Sequence, residues 1–381
     1  MRRSVADAPP VLRAVLIFRL GFLGGASVTK KLFTVGPVEV FPDVMQSMCR
    51  PMITHRGDDY KRLQRGIVER MRKVLDTDMN ILMTGASATG ILEACVRSGV
   101  RERMLGVSNG SFGDRWASIG TENGKSLKKL DVAFGKAVRG DVVADAMEPG
   151  VEAVTIVSCE SSAGVLNPIK EIVESIRSKG DPLICVDAVT SATAIDMKLK
   201  ELDVDAFVFG SQKALALPPG LGIVCVSDNF LKRAASVPNR GFYFDLVAMK
   251  AAADKDLALT TPPIGIMFGL DYQLDKILRE GMPNRYARHR QMAEAVRAWA
   301  TKRFRLFAEE GYRSDTINVI ESGSMPFADF NKRLKEKGFE VSPGYGKAKE
   351  TTFRVGTMGD ITVKDINDLT RAMDEVLEEM R

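Results

Sequence analysis

Apolar residues fall at Leu63, Ile67, Met71, Val74 and Leu75 inside DDYKRLQRGIVERMRKVLDTD, with charged residues between them. That spacing puts one apolar stripe on a helix and leaves a charged outer face. The pattern then shortens. NILMTG is a brief apolar run that predicts a buried strand, and ATGILEACVRSGV after it predicts a helix. MLGVSNGSFGDRW reads as strand then turn, with RWASIGTENG continuing as a helix. VEAVTIVSC, PLICVDAVTS, DAFVFGSQ and LGIVCVS are four further strand-like runs. The helices PIKEIVESIRSKG and NFLKRAAS lie among them, and Gly180 suits a C-terminal stop for the first. Continuous apolar strands alternating with amphipathic helices predict an α/β fold around a mainly parallel sheet. In such sheets ligands bind beyond the carboxyl ends of the strands.

Near residue 285 the pattern changes. RYARHRQMAEAVRAWATKRF predicts a long basic helix. TINVIES, FADFNKRLKEKG, TFRVGTM and VKDINDLTRAMDEVLEEM then read β-α-β-α. The expected organisation is a large domain over residues 28–285, including the N-terminal segment FTVGPVEVFPDVMQSMCR, and a smaller α/β domain over 286–381. Residues 1–27 stand apart. Their basic start, short apolar stretch and small residues outline a signal peptide, but Arg19 interrupts a run already too short to span a bilayer. They are expected to be a disordered or non-native extension ahead of a start at Val28.

Composition narrows the function. The 381 residues carry 54 Lys and Arg against 49 Asp and Glu, a net +5 with no long basic run. That argues against nucleic acid as a partner and suits small anionic ligands. No segment after residue 27 approaches a membrane span, so no membrane partner is expected. Five widely spaced cysteines without a C-x-x-C predict neither a disulfide framework nor a zinc site, and point to a reducing, cytoplasmic setting. With two histidines, no histidine-rich metal site is expected, and a Ser-His-Asp hydrolase has almost no base to draw on.

Four features at predicted strand ends could carry chemistry. TGASATG (84–90) lies between a strand and a helix: small residues admit a phosphate to free N–H groups, though ordinary tight turns look alike. Asp187 ends the apolar run LICVD, as a turn cap or as a fixed anion for a cationic ligand atom. Lys213 interrupts the apolar stretch FVFGSQKALALPPGLGIV. There it is either a nucleophilic amine with a lowered pKa or a lysine snorkelling to the surface. Arg354 lies within the strand-like TTFRVGTMG, as a carboxylate grip or as a solvent-facing edge residue.

Taken together, a phosphate turn, an acid and a lysine on one sheet edge match pyridoxal 5′-phosphate. Here the resemblance becomes specific. FTVGPVEVFPDVMQSM, NGSFGDRW, SCESSAGVLNPIKEI, ICVDAVTSATAIDM, GSQKALALPPGLGIV, RGFYFDL, TTPPIGIMFGL and PGYGKAKETTFRVGTMG occur in order. Across residues 31–381 the chain resembles the class V aminotransferases of fold type I, in the branch of alanine–glyoxylate, serine–glyoxylate and serine–pyruvate enzymes.

The resemblance implies a cofactor, pyridoxal phosphate, and a role for each matching residue. Lys213 forms the Schiff base and shuttles the proton. Asp187 pairs with the ring nitrogen. Ser87, Ala88 and Thr89 meet the phosphate or ring, with Gln212 beside the phosphate and Ser161 near the ring hydroxyl. Phe112 stacks on the ring, where the family often has tryptophan. Thr261 reaches the phosphate from the partner subunit of a homodimer. Arg354, helped by backbone near Gly36, grips the substrate carboxylate. Cys159 stands where relatives often carry histidine or another polar residue. The implied activity is ping-pong transamination between a small amino acid, serine or alanine, and glyoxylate or pyruvate. Alternatives are an aspartate-using aminotransferase, with Arg56 as a candidate second cation, and a cysteine desulfurase-like lyase.

Overall fold

The computed structural model describes residues 30–381. The extension over 1–27 lies outside them. In chain order the strands are β1 (Lys31–Phe33), β2 (Asn80–Gly85), β3 (Arg103–Ser108), β4 (Ser126–Asp131), β5 (Ala153–Val157), β6 (Cys159–Glu160) and β7 (Val165–Leu166). They continue as β8 (Leu183–Asp187), β9 (Ala206–Gly210), β10 (Leu221–Val226), β11 (Arg305–Leu306), β12 (Ile317–Glu321), β13 (Phe339–Pro343) and β14 (Thr352–Gly356).

A seven-stranded sheet has the order β2-β10-β9-β8-β5-β3-β4. β4, β3, β5, β8 and β9 pair in parallel, as the sequence predicts. β10 runs antiparallel to both β9 and β2. Two reversals restore direction, so β2 points the same way as β9. The carboxyl ends of β2, β3, β5, β8 and β9 therefore share one edge. β10 is reached by a short return loop, residues 211–220, which is too brief for the crossover that a parallel neighbour needs. Lys213 sits on that loop.

β5, β8, β9 and β10 are buried at every position, which explains their unbroken apolar sequences. The period of two still divides them between two layers. Ile184, Val186, Phe207 and Phe209 pack with Ile67 and Met71 of the helix Asp58–Leu75. Leu183, Cys185 and Val208 pack with Leu92 and Cys95 of the helix Ala88–Gly99. The buried cysteines thus serve as small hydrophobes.

The second sheet has the order β1-β13-β14-β12-β11. Met292, Val296 and Trp299 from the helix Met282–Ala300, with Phe330, Leu369 and Met373 from two later helices, cover Phe353 and Val355. The last helix, Val363–Glu379, begins with a capping box between Thr362 and Asp365. The first strand of the described chain, β1, joins this sheet through parallel pairing with β13. A further departure from the sequence reading bears on the site. The turn expected in NGSFGDRW is already helical from Ser111, so Phe112 lies in the first turn of the helix Ser111–Glu122.

Candidate active site

A cavity opens at the shared carboxyl edge. Lys213 is buried there, and its Nζ donates to the Val35 carbonyl. Burial, and then the Arg354 charge, pull its pKa down to about 8, so the neutral amine is accessible near physiological pH. The surface-lysine reading is thereby excluded. Gly36 packs directly on this side chain: a Cβ at Gly36 would lie 2.8 Å from Lys213 Cδ, and its φ is +112°. From behind, Arg285 donates to the carbonyls of Ala214 and Thr193 and fixes the return loop.

Asp187 ends β8, lines the cavity and is buried. Its Oδ1 accepts the Val189 N–H at 2.9 Å, which is the turn-cap role. Among the described residues no lysine or arginine forms an ion pair with it. Burial, with Glu160's charge as the next cause raising it, lifts its pKa to about 6. A buried carboxylate on a cavity wall without a cation is costly, and a cationic ligand atom relieves that cost. The turn-cap bond is present, and the carboxylate still faces the cavity without a cation partner among the described residues.

Ser87 precedes the helix Ala88–Gly99, and its hydroxyl makes no capping bond. Ala88 and Thr89 open the first turn, and their own N–H groups have no intrahelical acceptor. All three line the cavity, as do Gln212, Ser161 and Phe112. The Phe112 ring lies parallel to Tyr345, with centroids 5.6 Å apart and 14° between planes.

Arg354 is on β14, the central strand of its sheet, and is buried. The edge-strand reading is thus ruled out. Its Nε donates to the Pro343 carbonyl at 2.9 Å and its Nη1 to the Ser161 carbonyl at 3.3 Å. No carboxylate pairs with it among the described residues, and burial lowers its pKa to about 10. Thr261 is exposed and does not line its own chain's cavity; its carbonyl lies near Gly85 at the end of β2. Arg56 is exposed and away from the cavity lining.

The sequence reading missed three residues. Arg115 lines the cavity, with its guanidinium 4.8 Å from the Phe112 ring centroid and Nη2 donating to the Tyr345 hydroxyl at 2.9 Å. Tyr345 also lies under Arg354, at 5.2 Å. Glu160 is fully buried next to Ser161. Cys159 does line the cavity, but its Sγ donates to Ser314 Oγ at 3.0 Å and burial raises its pKa to about 11, so the thiol stays protonated. Among the described residues no cluster of three or more His, Cys, Asp or Glu is placed to hold a metal, and no helix is long and apolar enough to cross a membrane.

An amine ready to condense, an unpaired buried carboxylate and a free helix N-terminus thus line one cavity. They fit an aldehyde, a basic ring nitrogen and a phosphate, the groups of pyridoxal 5′-phosphate. Comparison with known proteins agrees. Residues 111–368 match the aminotransferase class-V family. An uncharacterized aminotransferase of Methanocaldococcus jannaschii is 31% identical, over 93% of this chain and 94% of that one. Serine–glyoxylate aminotransferase of Methylorubrum extorquens is 29% identical, over 87% and 86%. The crystal structure of an aspartate aminotransferase from Thermus thermophilus superposes with a TM-score of 0.84 at 26% identity, covering 92% of this chain and 99% of that one. The chain belongs to the class V aminotransferases, and it is a pyridoxal-phosphate-dependent transaminase.

Proposed function

We propose that the enzyme moves an amino group from serine or alanine to glyoxylate or pyruvate by a ping-pong mechanism. The observation that carries this reading is the meeting of Lys213, Asp187 and the Ser87–Thr89 turn on one cavity, with Arg354 beside it and bonded only to carbonyls. The glyoxylate acceptor is supported by the name of the Methylorubrum relative. When bound, pyridoxal phosphate supplies an aldehyde for the amino group and an electron-withdrawing ring.

This chain's residues do the rest. The Ser87–Thr89 turn and Gln212 hold the phosphate, and Asp187 keeps a proton on the ring nitrogen by its fixed negative charge. Phe112 forms one wall. Arg354 grips the donor carboxylate with two parallel N–H groups and so fixes which Cα bond faces the cofactor. Lys213, as a neutral amine, takes the Cα proton and returns it. The product 2-oxo acid then leaves, and the second 2-oxo acid binds on the same Arg354.

A homodimer completes the site in this reading, with the partner subunit's Thr261 reaching the phosphate. Exposed Met45, Met52 and Phe242 support such a contact, as does Tyr243, also exposed, whose hydroxyl donates to the Gly85 carbonyl at 2.8 Å. A cytoplasmic setting is supported by the free cysteines, four of them buried.

Aspartate as donor is favoured by one observation: Arg115 reaches the cavity with no carboxylate partner among the described residues. The lyase alternative needs a thiol that ionises readily, and burial pushes the pKa of the cavity-lining Cys159 up to about 11. The test is the visible spectrum of the purified protein with serine, alanine and aspartate in turn. The absorption band should bleach with a donor and return with glyoxylate or pyruvate. No band after adding pyridoxal phosphate would sink the assignment. If aspartate is used, Arg115→Gln should lower its kcat/KM roughly tenfold or more and spare serine.

A further inference from the structure

The Glu160 carboxylate joins the two halves of the site. It is fully buried and makes no ion pair among the described residues. Instead it accepts four hydrogen bonds from two separate segments. Oε2 accepts the N–H groups of Phe112 at 3.0 Å and Gly113 at 3.2 Å, in the first turn after β3. Oε1 accepts the Ser162 N–H at 3.0 Å and the Ser162 hydroxyl at 2.5 Å. The Ser162 Oγ in turn accepts the Ser111 N–H at 3.1 Å. Between these bonds lies Ser161, whose carbonyl accepts from Arg354.

The neighbourhood is built around this carboxylate. A Cβ at Gly110 would come within 2.5 Å of Glu160 Cγ and 2.7 Å of Ser162 Oγ, so only glycine leaves the room. A helix start could be capped by a single Ser or Asn hydroxyl or amide. A buried acid that spans two segments costs more in desolvation and fixes more geometry.

We propose that Glu160 is a positioning residue of the transamination: it locks the Phe112 wall to the Ser161 carbonyl that registers Arg354. This rests on the transaminase reading. Glu160 is not among the residues that line the cavity, and it acts by keeping the ring face and the carboxylate grip at one fixed separation.

Glu160→Gln tests this. The amide keeps one acceptor oxygen and replaces the other with an NH₂ group, so one pair of donors loses its acceptor. Pyridoxal phosphate is titrated against the fluorescence of the two tryptophans, Trp116 and Trp299, of which Trp116 shares the Phe112 helix. The Kd for the cofactor and the KM for the donor should each rise about tenfold, with kcat falling less, as a charge-assisted contact is lost. The visible circular dichroism of the bound cofactor should weaken, because its ring is no longer held at one angle. A folded variant with Kd, KM and dichroism within about twofold of wild type overturns the proposal. If Glu160→Gln does not fold, Ser162→Ala decides: the same shifts at smaller size support the role, and none refutes it. A wild-type protein whose tryptophans are not quenched overturns the transaminase reading, and this proposal with it.

Discussion

Asp187→Asn should make the cofactor-free protein more stable at neutral pH while disabling it. The Asp187 carboxyl titrates at about 6 rather than 3.8, because burial strips water from its charge. Below pH 3.8 the acid is neutral in both folded and unfolded chains, and it costs nothing. Between the two values the unfolded chain ionises it and the folded chain does not, so stability falls as pH rises. Above pH 6 the loss levels off at about 3 kcal/mol. Asparagine has the same shape without the charge, and its Oδ1 can still accept the Val189 N–H. The variant should therefore gain about 1–3 kcal/mol at pH 7.5, the upper figure being reduced by the amide's own burial. At pH 5 the gain should be about half as large. Urea unfolding of both cofactor-free proteins at the two pH values measures this. Adding pyridoxal phosphate should then reverse the ranking, since only the carboxylate attracts a protonated ring nitrogen, and turnover should fall roughly a hundredfold or more. A variant less stable than wild type at pH 7.5, or a gain that does not shrink at pH 5, would refute this account of the carboxylate.

Three further outcomes follow from the site. Lys213→Ala should abolish transamination and leave a near-native circular dichroism spectrum; residual turnover well above background would remove Lys213 from its role. Arg354→Ala should raise the donor KM roughly a hundredfold, with a smaller effect on kcat. An unchanged KM in steady-state assays would mean that another group binds the carboxylate. Gly36→Ala places a methyl group against Lys213 at a backbone φ of +112°, at a cost of about 1–3 kcal/mol. The visible band should then grow in more slowly on adding pyridoxal phosphate in stopped flow, and a wild-type rate would show that the Val35–Gly36 segment does not constrain Lys213.

The legible parts of the fold are those where burial is symmetrical or strongly one-sided. β5, β8, β9 and β10 could be read because helices cover both their faces. β4 could not, because SLKKLD is largely exposed at the sheet edge and carries no strong period. β1 and β13 are short and half-polar, and their pairing joins residues some 300 positions apart in sequence, which no local pattern reveals. The helix Ile264–Glu280 escaped because IGIMFGL is apolar nearly all round its first turns and follows a Pro-Pro pair. In the site, Lys213 and Asp187 stood out because a charge in an apolar run is conspicuous. Glu160 and Arg115 did not. Three of the four donors to Glu160 are backbone N–H groups, which leave no trace in side-chain identity, and Arg115 meets Tyr345 across 230 positions. Arg285 was hidden differently: in a helix rich in basic residues nothing sets it apart, yet it is 1% exposed and braces the lysine loop.

Lys213 is where the two sheets meet. The loop that carries it leaves the seven-stranded sheet, while the carbonyl that accepts its amine belongs to Val35, just beyond β1 of the other sheet. The Val35 N–H donates to Ser342 Oγ on β13 at 3.1 Å, so the same short segment bridges the lysine and the Arg354 sheet. A single hydrogen bond of this kind contributes about 1 kcal/mol net. That is enough to aim a flexible four-carbon side chain and too little to hold it against a covalent reaction. The contact therefore parks the amine at the cavity without locking it, and Gly36 beside it leaves the side chain room to turn.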